Sequence, residues 1–312
     1  MKKLYLILFA CTLGCFSCTE NETPIKQEQA MVGNDPLLLS LSEFNDSILA
    51  VKPMTRMSIG RIFAIAADDI MGAFEVGGVC AGIGCMFGPK GAIVGGGIGA
   101  VVGGVGGSYK CYCETKGQEM VPLDSIVAVY FEMKKDENTM YVPDSISSKL
   151  DIPLSYQCAL NVGLTHNEML DILRNDKIYY GIDSDNELFP DNNDIGAIPI
   201  SGSGLSDEEM IEKMVLNSSD FIDAYNEMLE KLEPMDVIPY AGNNEGLDME
   251  AMRLFIDVCA DYVETSNDAY FIINKYIERI ENHSSLTTEQ KRHVYYGLAV
   301  AAYSTTYWEE NL

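Results

Sequence analysis

Few residues in this chain have the type and spacing that chemistry needs. The most suggestive set is His166-Asn167-Glu168 with Asp171. An imidazole flanked by carboxylates is the usual makings of a general base. On a helix, however, residues five apart do not face one another, so His166 and Asp171 are not expected to pair. Glu168 is expected to cap a helix, and His166 to be structural, hydrogen-bonded between helices. Asp183-Ser184-Asp185-Asn186-Glu187 offers oxygens at alternate positions, as a calcium loop does. Leu188 stands where such a loop needs glycine, and Asp194 stands where it needs glutamate, so an acidic surface loop is expected. Cys111-x-Cys113 is too short for paired zinc spacing and has no second pair. His283 and His293 are isolated, and no HExxH, P-loop, dinucleotide fingerprint or GxSxG occurs. No catalytic residue, metal or cofactor is assigned, and the chain is not read as an enzyme.

What dominates the chain instead is a stretch from Gly72 to Gly107, in which Glu75 and Lys90 are the only charges. Gly91, Gly95, Gly99, Gly103 and Gly107 recur every fourth residue, and Gly78 and Gly82 are assigned to the same series on the preceding arm. Small residues at that interval let helices approach closely. Gly88-Pro89-Lys90-Gly91 reads as a turn, leaving arms at about 72–87 and 91–107. As helices they would each be roughly 24–26 Å long, slightly short of a hydrocarbon core of about 30 Å. Thirteen glycines lie outside the turn. At about 0.8–1 kcal/mol each relative to alanine, they burden the arms by roughly 10–13 kcal/mol. Such arms cannot stand alone in water and must be covered by one another, by other helices or by lipid.

This stretch, with the preceding Ala66-Ala67-Asp68-Asp69-Ile70-Met71-Gly72-Ala73, resembles the glycine-zipper segments of outer-membrane lipoproteins and the glycine-rich helices of membrane-active bacteriocins. The likeness covers residues about 60–110. It implies either close helix packing within a fold or association with a membrane.

The formal net charge is −26, which argues against nucleic acid as a partner and against electrostatic attraction to an acidic membrane. At the N-terminus, Lys2 and Lys3 precede an apolar run from Leu4 to Gly14, too short to span a bilayer, as in an export signal. Cysteines follow at 11, 15 and 18. The arrangement resembles a bacterial lipoprotein signal, in which a cysteine after a small residue is lipidated. Cys18, after Ser17 and before the polar Thr19–Glu22, is the choice, with Cys15 and Cys11 as alternatives. The acidic run after Cys18 resembles the export tags of surface-exposed lipoproteins in some Gram-negative bacteria. The segments LTHNEMLDIL and GLAVAAYSTTYW likewise resemble a group of exported bacterial lipoproteins of unknown function, which supplies no activity. Six further cysteines (Cys80, Cys85, Cys111, Cys113, Cys158 and Cys259) are expected mostly as small buried apolar residues, not as a disulfide framework.

Residues 19–36 read as a tether, 37–113 as N-terminal helices followed by the glycine-zipper hairpin, and 114–164 as a connector containing a strand-like run, Ile126–Phe131. An acidic helical domain is expected over 165–312. Capping boxes are read at Thr165/Glu168, Ser206/Glu209 and Thr287/Gln290. Gly202-Ser203-Gly204 reads as a linker. Helical faces recur over Gly246–Val263, at Ile273/Tyr276/Ile277/Ile280 and from about Thr288. Residues 183–261 hold twenty Asp and Glu against three Lys and Arg.

The fold class expected is mainly α, a glycine-zipper hairpin with a helical C-terminal bundle. The expected function is that of a non-catalytic, surface-exposed lipoprotein of the outer membrane. Its partners would be the lipid bilayer, through the acyl anchor and alternatively the hairpin, and a second copy or another envelope protein. One rival is a membrane-active, bacteriocin-like protein whose hairpin is shielded by the helical domain. A second is a surface hydrolase or binding lipoprotein using His166.

Overall fold

The glycines at fourfold spacing put a bare strip of backbone along one side of a helix, and that strip decides how the chain packs. The computed structural model describes residues 35–51, 60–136, 144–175, 206–232 and 246–311. The export segment with Cys11, Cys15 and Cys18, the tether up to residue 34, the Asp183–Asp194 loop and Gly202-Ser203-Gly204 lie outside the described residues.

The fold is mainly α, with no strand among the described residues. Its helices are α1 (Pro36–Leu49), α2 (Gly60–Gly84), α3 (Gly88–Lys116), α4 (Leu123–Asp136) and α5 (Cys158–Asn175). They continue with α6 (Asp207–Leu216), α7 (Ser219–Lys231), α8 (Leu247–Tyr262), α9 (Ser266–Asn282) and α10 (Thr288–Asn311).

Helices α2 and α3 form an antiparallel hairpin. Its arms are 25 and 29 residues long, longer than the glycine pattern alone suggested. No breaker stands in the apolar run before Gly72, so α2 extends back to Gly60. At the far end α3 runs on to Lys116 and is closed by Gly117 in the left-handed conformation, φ 62°. The turn is a single 3-10 turn at Cys85–Phe87. Gly88 follows with φ 81°, and Pro89 is placed in the first turn of α3, where its missing N–H is harmless.

One register runs the length of the hairpin. Asp68, Gly72, Val76, Cys80 and Gly84 on α2 meet Gly107, Gly103, Gly99, Gly95 and Gly91 on α3 in turn. A Cβ at Gly72 would fall onto the carbonyl of Gly103, one at Gly103 onto that of Gly72, and one at Gly95 onto that of Cys80. At Gly99 it would lie 2.6 Å from both the Cys80 Cβ and the Val76 carbonyl oxygen. Gly78 and Gly82 are different: nothing lies within 4 Å of an added Cβ at either, and they are no part of this seam. Two residues along a helix is about 200° of rotation, so a column through Cys80 and Gly84 turns Gly78 and Gly82 away.

Around the hairpin the helices share one core, and residues 36–312 form a single compact unit. Helix α10 is central. It is buried without interruption from Val294 to Thr305, the all-round burial of a helix enclosed by others. It lies against α2 and α5, with α8 and α9 beside it and α1 packed on α8 and α9. Gly163 of α5 sits under the Tyr303 ring and Gly297 under Met252 and Ile70, each glycine making room for a large neighbour.

Two further sequence expectations are corrected. The run Ile126–Phe131, read as strand-like from its β-branched and aromatic residues, lies within α4. Ile126, Val127, Val129 and Tyr130 are buried, a helical spacing that outweighed composition. Thr165 does not cap a helix either. Helix α5 begins at Cys158, and Thr165 is buried in its middle with Glu168 on the exposed side. The boxes at Ser206/Glu209 and Thr287/Gln290 are present as reciprocal hydrogen bonds. A further box, Thr265/Asp268, opens α9.

Candidate functional site

The chemistry-bearing residues converge at one place, where α2, α5 and α10 meet α3. Asp69 projects from α2, His166 from α5 and Ser304 from α10, and all three are completely buried. His166 Nε2 stands 3.4 Å from Asp69 Oδ2, and the Ser304 hydroxyl donates a short hydrogen bond to the same carboxylate oxygen. On the other side of the ring, Nδ1 lies 3.0 Å from Asn167 Oδ1. The Asn167 amide donates to the Tyr303 carbonyl at 2.9 Å, tying α5 to α10. That amide orientation turns Oδ1 toward the ring, so Nδ1 carries a hydrogen. A Cβ at Gly104 would lie 3.0 Å from His166 Cδ2 and 3.2 Å from the Asp69 carbonyl. The ring therefore fits because α3 presents bare backbone there.

This set has the residue types of a hydrolytic triad but not the access. All of it is buried, and two of its polar atoms, Asp69 Oδ1 and His166 Nε2, have no hydrogen-bond partner. A surface groove of about 460 Å³ does open beside α9, lined by residues such as Asp151, Phe271 and Lys275. None of the knot residues lines it. The knot joins α2, α5 and α10 in the interior. Asp171 points elsewhere, accepting from Tyr307 at 2.9 Å, so it and His166 do not come together. Arg174 donates to the same tyrosine at 2.7 Å. Its guanidinium sits 5.0–5.3 Å from the ring centres of Tyr112, Tyr307 and Trp308.

Next to the knot, Asp68 is 4 % exposed. Its carboxyl is pushed up to about 8, first by burial and then by the charge of Asp69, with Lys110 acting the other way. Burial also raises Glu75, against the opposing pull of Lys231. Among the described residues no three or more His, Cys, Asp or Glu stand together as metal ligands. Cys80, Cys111, Cys113 and Cys259 are buried thiols outside any disulfide, Cys158 is half-buried and Cys85 is exposed. His283 caps the end of α9, and His293 lies 3.8 Å from Asp248.

Sequence reasoning singled out His166 and missed Asp69 and Ser304. The available signal was the adjacent pair Asp68-Asp69 inside an otherwise apolar helix, since a buried charge needs a partner. Ser304, 235 residues away from Asp69, carried no local sign.

Comparison of the chain with protein-family models, with curated proteins and with solved structures gives no match.

Proposed function

We propose that this chain is an exported, lipid-anchored protein of the cell envelope, displayed at the surface of an outer membrane and acting by association without catalysis. The observation that carries the non-catalytic reading is the closure of the Asp69–His166–Ser304 knot. The residue most able to do general-base chemistry is completely buried among structural partners. The anchor is read from Lys2, Lys3, the apolar Leu4–Gly14 and Ser17-Cys18. A surface charge of this sign keeps a Met-rich helical protein in solution beside the membrane while repelling acidic lipid. In this reading the bilayer is met through the acyl chain, and the partners are a second copy or another envelope protein. The test is labelling of the expressed protein with a fatty-acid analogue. Wild type should take up label and Cys18→Ala should not. Label retained by Cys18→Ala would move the site to Cys15 or Cys11, and an unlabelled wild type would overturn the anchor.

A second reading is a membrane-active protein whose hairpin is shielded until it inserts. Within Ile65–Lys116 an 18-residue window is apolar enough to cross a membrane, with a mean hydropathy of 1.7, and 56 % of that window is enclosed by the fold. That burial is also what the core of a water-soluble bundle requires. Dye release from liposomes at acid and neutral pH separates the two, and release dependent on the hairpin would favour insertion.

A further inference from the structure

We propose that α6 and α7 form a releasable strap over the hairpin, opening while α10 and the rest of the bundle stay folded. The inference stands whichever reading of function holds, because it concerns only how the hairpin is covered.

The strap packs chiefly on the two hairpin arms. Ile211, Val215, Phe221, Tyr225 and Met228 make its buried side. With 10 and 13 residues, its helices are too short to hold without docking. Polar contacts fasten it, two of them through partly exposed lysines and one buried. Lys110 of α3 donates to the carbonyls of Leu229 and Leu232 at 2.6 and 3.3 Å, capping the C-terminal end of α7 where the helix dipole is negative. Lys231 reaches back to Glu75 of α2 at 3.7 Å, a half-exposed contact on the lysine side. Tyr130 of α4 donates to Glu212 of α6 at 3.0 Å.

The middle of the strap is imperfect. Tyr225 is 1 % exposed and lies over Gly106, where an added Cβ would be 2.6 Å from its hydroxyl oxygen. That hydroxyl is buried with no hydrogen-bond partner. A buried unpaired polar group weakens the state that buries it. Helix α10 is held differently, through the knot at Ser304, through Trp308 donating to Ser108 at 2.9 Å and through Tyr296 donating to Ile93 at 3.2 Å. Two covers of one hairpin are thus fastened unequally: α10 is one 24-residue helix enclosed along its middle, and the strap is two short helices held in part by half-exposed lysines over a buried mismatch. Opening the strap bares the face of the hairpin around Glu75, Gly106 and Lys110 without parting the seam between α2 and α3.

Native-state hydrogen exchange on the full chain tests this. Amides of α6 and α7 should exchange at least about tenfold faster than those of α10 between Val294 and Ser304. Lys110→Met, which removes the cap on α7, should speed strap exchange by about tenfold more. Tyr225→Phe, which removes the unpaired hydroxyl, should slow it severalfold. Both should leave α10 unchanged. Strap and α10 exchanging in step in the wild type would overturn the proposal. So would the two variants shifting α10 as much as the strap, because the covers would then open as one cooperative unit.

Discussion

Asp68 shows how far burial governs single residues here. Folding lifts its carboxyl from an ordinary 3.8 to about 8, chiefly by desolvation, so the native state holds a proton that the unfolded chain releases. Below about pH 4 both states are protonated and the group exacts no penalty. Between about pH 4 and pH 8 the unfolded chain ionises first, and stability falls by several kcal/mol; above pH 8 the penalty is complete. Asp68→Asn should therefore be more stable than wild type at pH 8 and about equal to it near pH 4, measured by urea unfolding at each pH. A variant weaker than wild type at pH 8 would mean that the charged carboxylate is a favoured partner of Lys110. His166 teaches a related lesson about legibility. Its burial among helices agrees with an isolated histidine beside carboxylates on the wrong helical side, but the ring bonds only Asn167 of its own helix and stands 3.4 Å from Asp69 of α2. Its neighbours on other helices were not legible, because Asp69 and Ser304 come from α2 and α10 and only the folded chain brings them to α5.

At the scale of elements, the hairpin makes the sharpest distinction among glycines that look alike in sequence. Gly72 and Gly103 face each other's carbonyls, and a methyl group at either would collide with backbone that cannot move aside. Gly72→Ala or Gly103→Ala should cost more than 3 kcal/mol, in the range of severe overpacking. Gly78→Ala and Gly82→Ala meet nothing and should instead stabilise by about 0.5–1 kcal/mol each, the ordinary helical gain of alanine over glycine. Thermal unfolding of the four variants checks both directions, and a loss at Gly78 or Gly82 would reveal a contact made outside this chain. The fourfold spacing in α3 was visible because glycine is conspicuous. The matching column on α2 was not, since Asp68, Val76 and Cys80 do not announce themselves as half of a seam. Helix boundaries followed the same rule. α8 runs from Leu247 to Tyr262 between the caps Gly246 and Val263, as its apolar face predicts, because a clear period and its breakers coincide there. α4 was obscured by residues that favour strands, and the start of α5 by a threonine and a glutamate at capping distance.

For the whole molecule, the burden of glycine in the hairpin is met from within. α10 and α5 cover one side and the α6–α7 strap another, so the acidic helices and the hairpin are parts of one core. Charge divides the chain along the same line. No acidic residue occurs between Glu75 and Glu114, while the net charge of the whole is −26. Most of the acid-free segment is enclosed, with its tip around Cys85–Lys90 left exposed, and the acidic segments supply much of its cover and the solvated exterior. The central claim is that the hairpin belongs to the interior of the fold; with it goes the proposal that membrane attachment is made by an acyl chain at Cys18. Flotation with liposomes, followed by protease treatment of the floated protein, tests it most directly. Lipidated wild type should float with α2 and α3 protected only as they are in solution, and Cys18→Ala should stay with the soluble fraction. Cys18→Ala floating, with a fragment spanning Ile65–Lys116 shielded by the bilayer, would contradict the account.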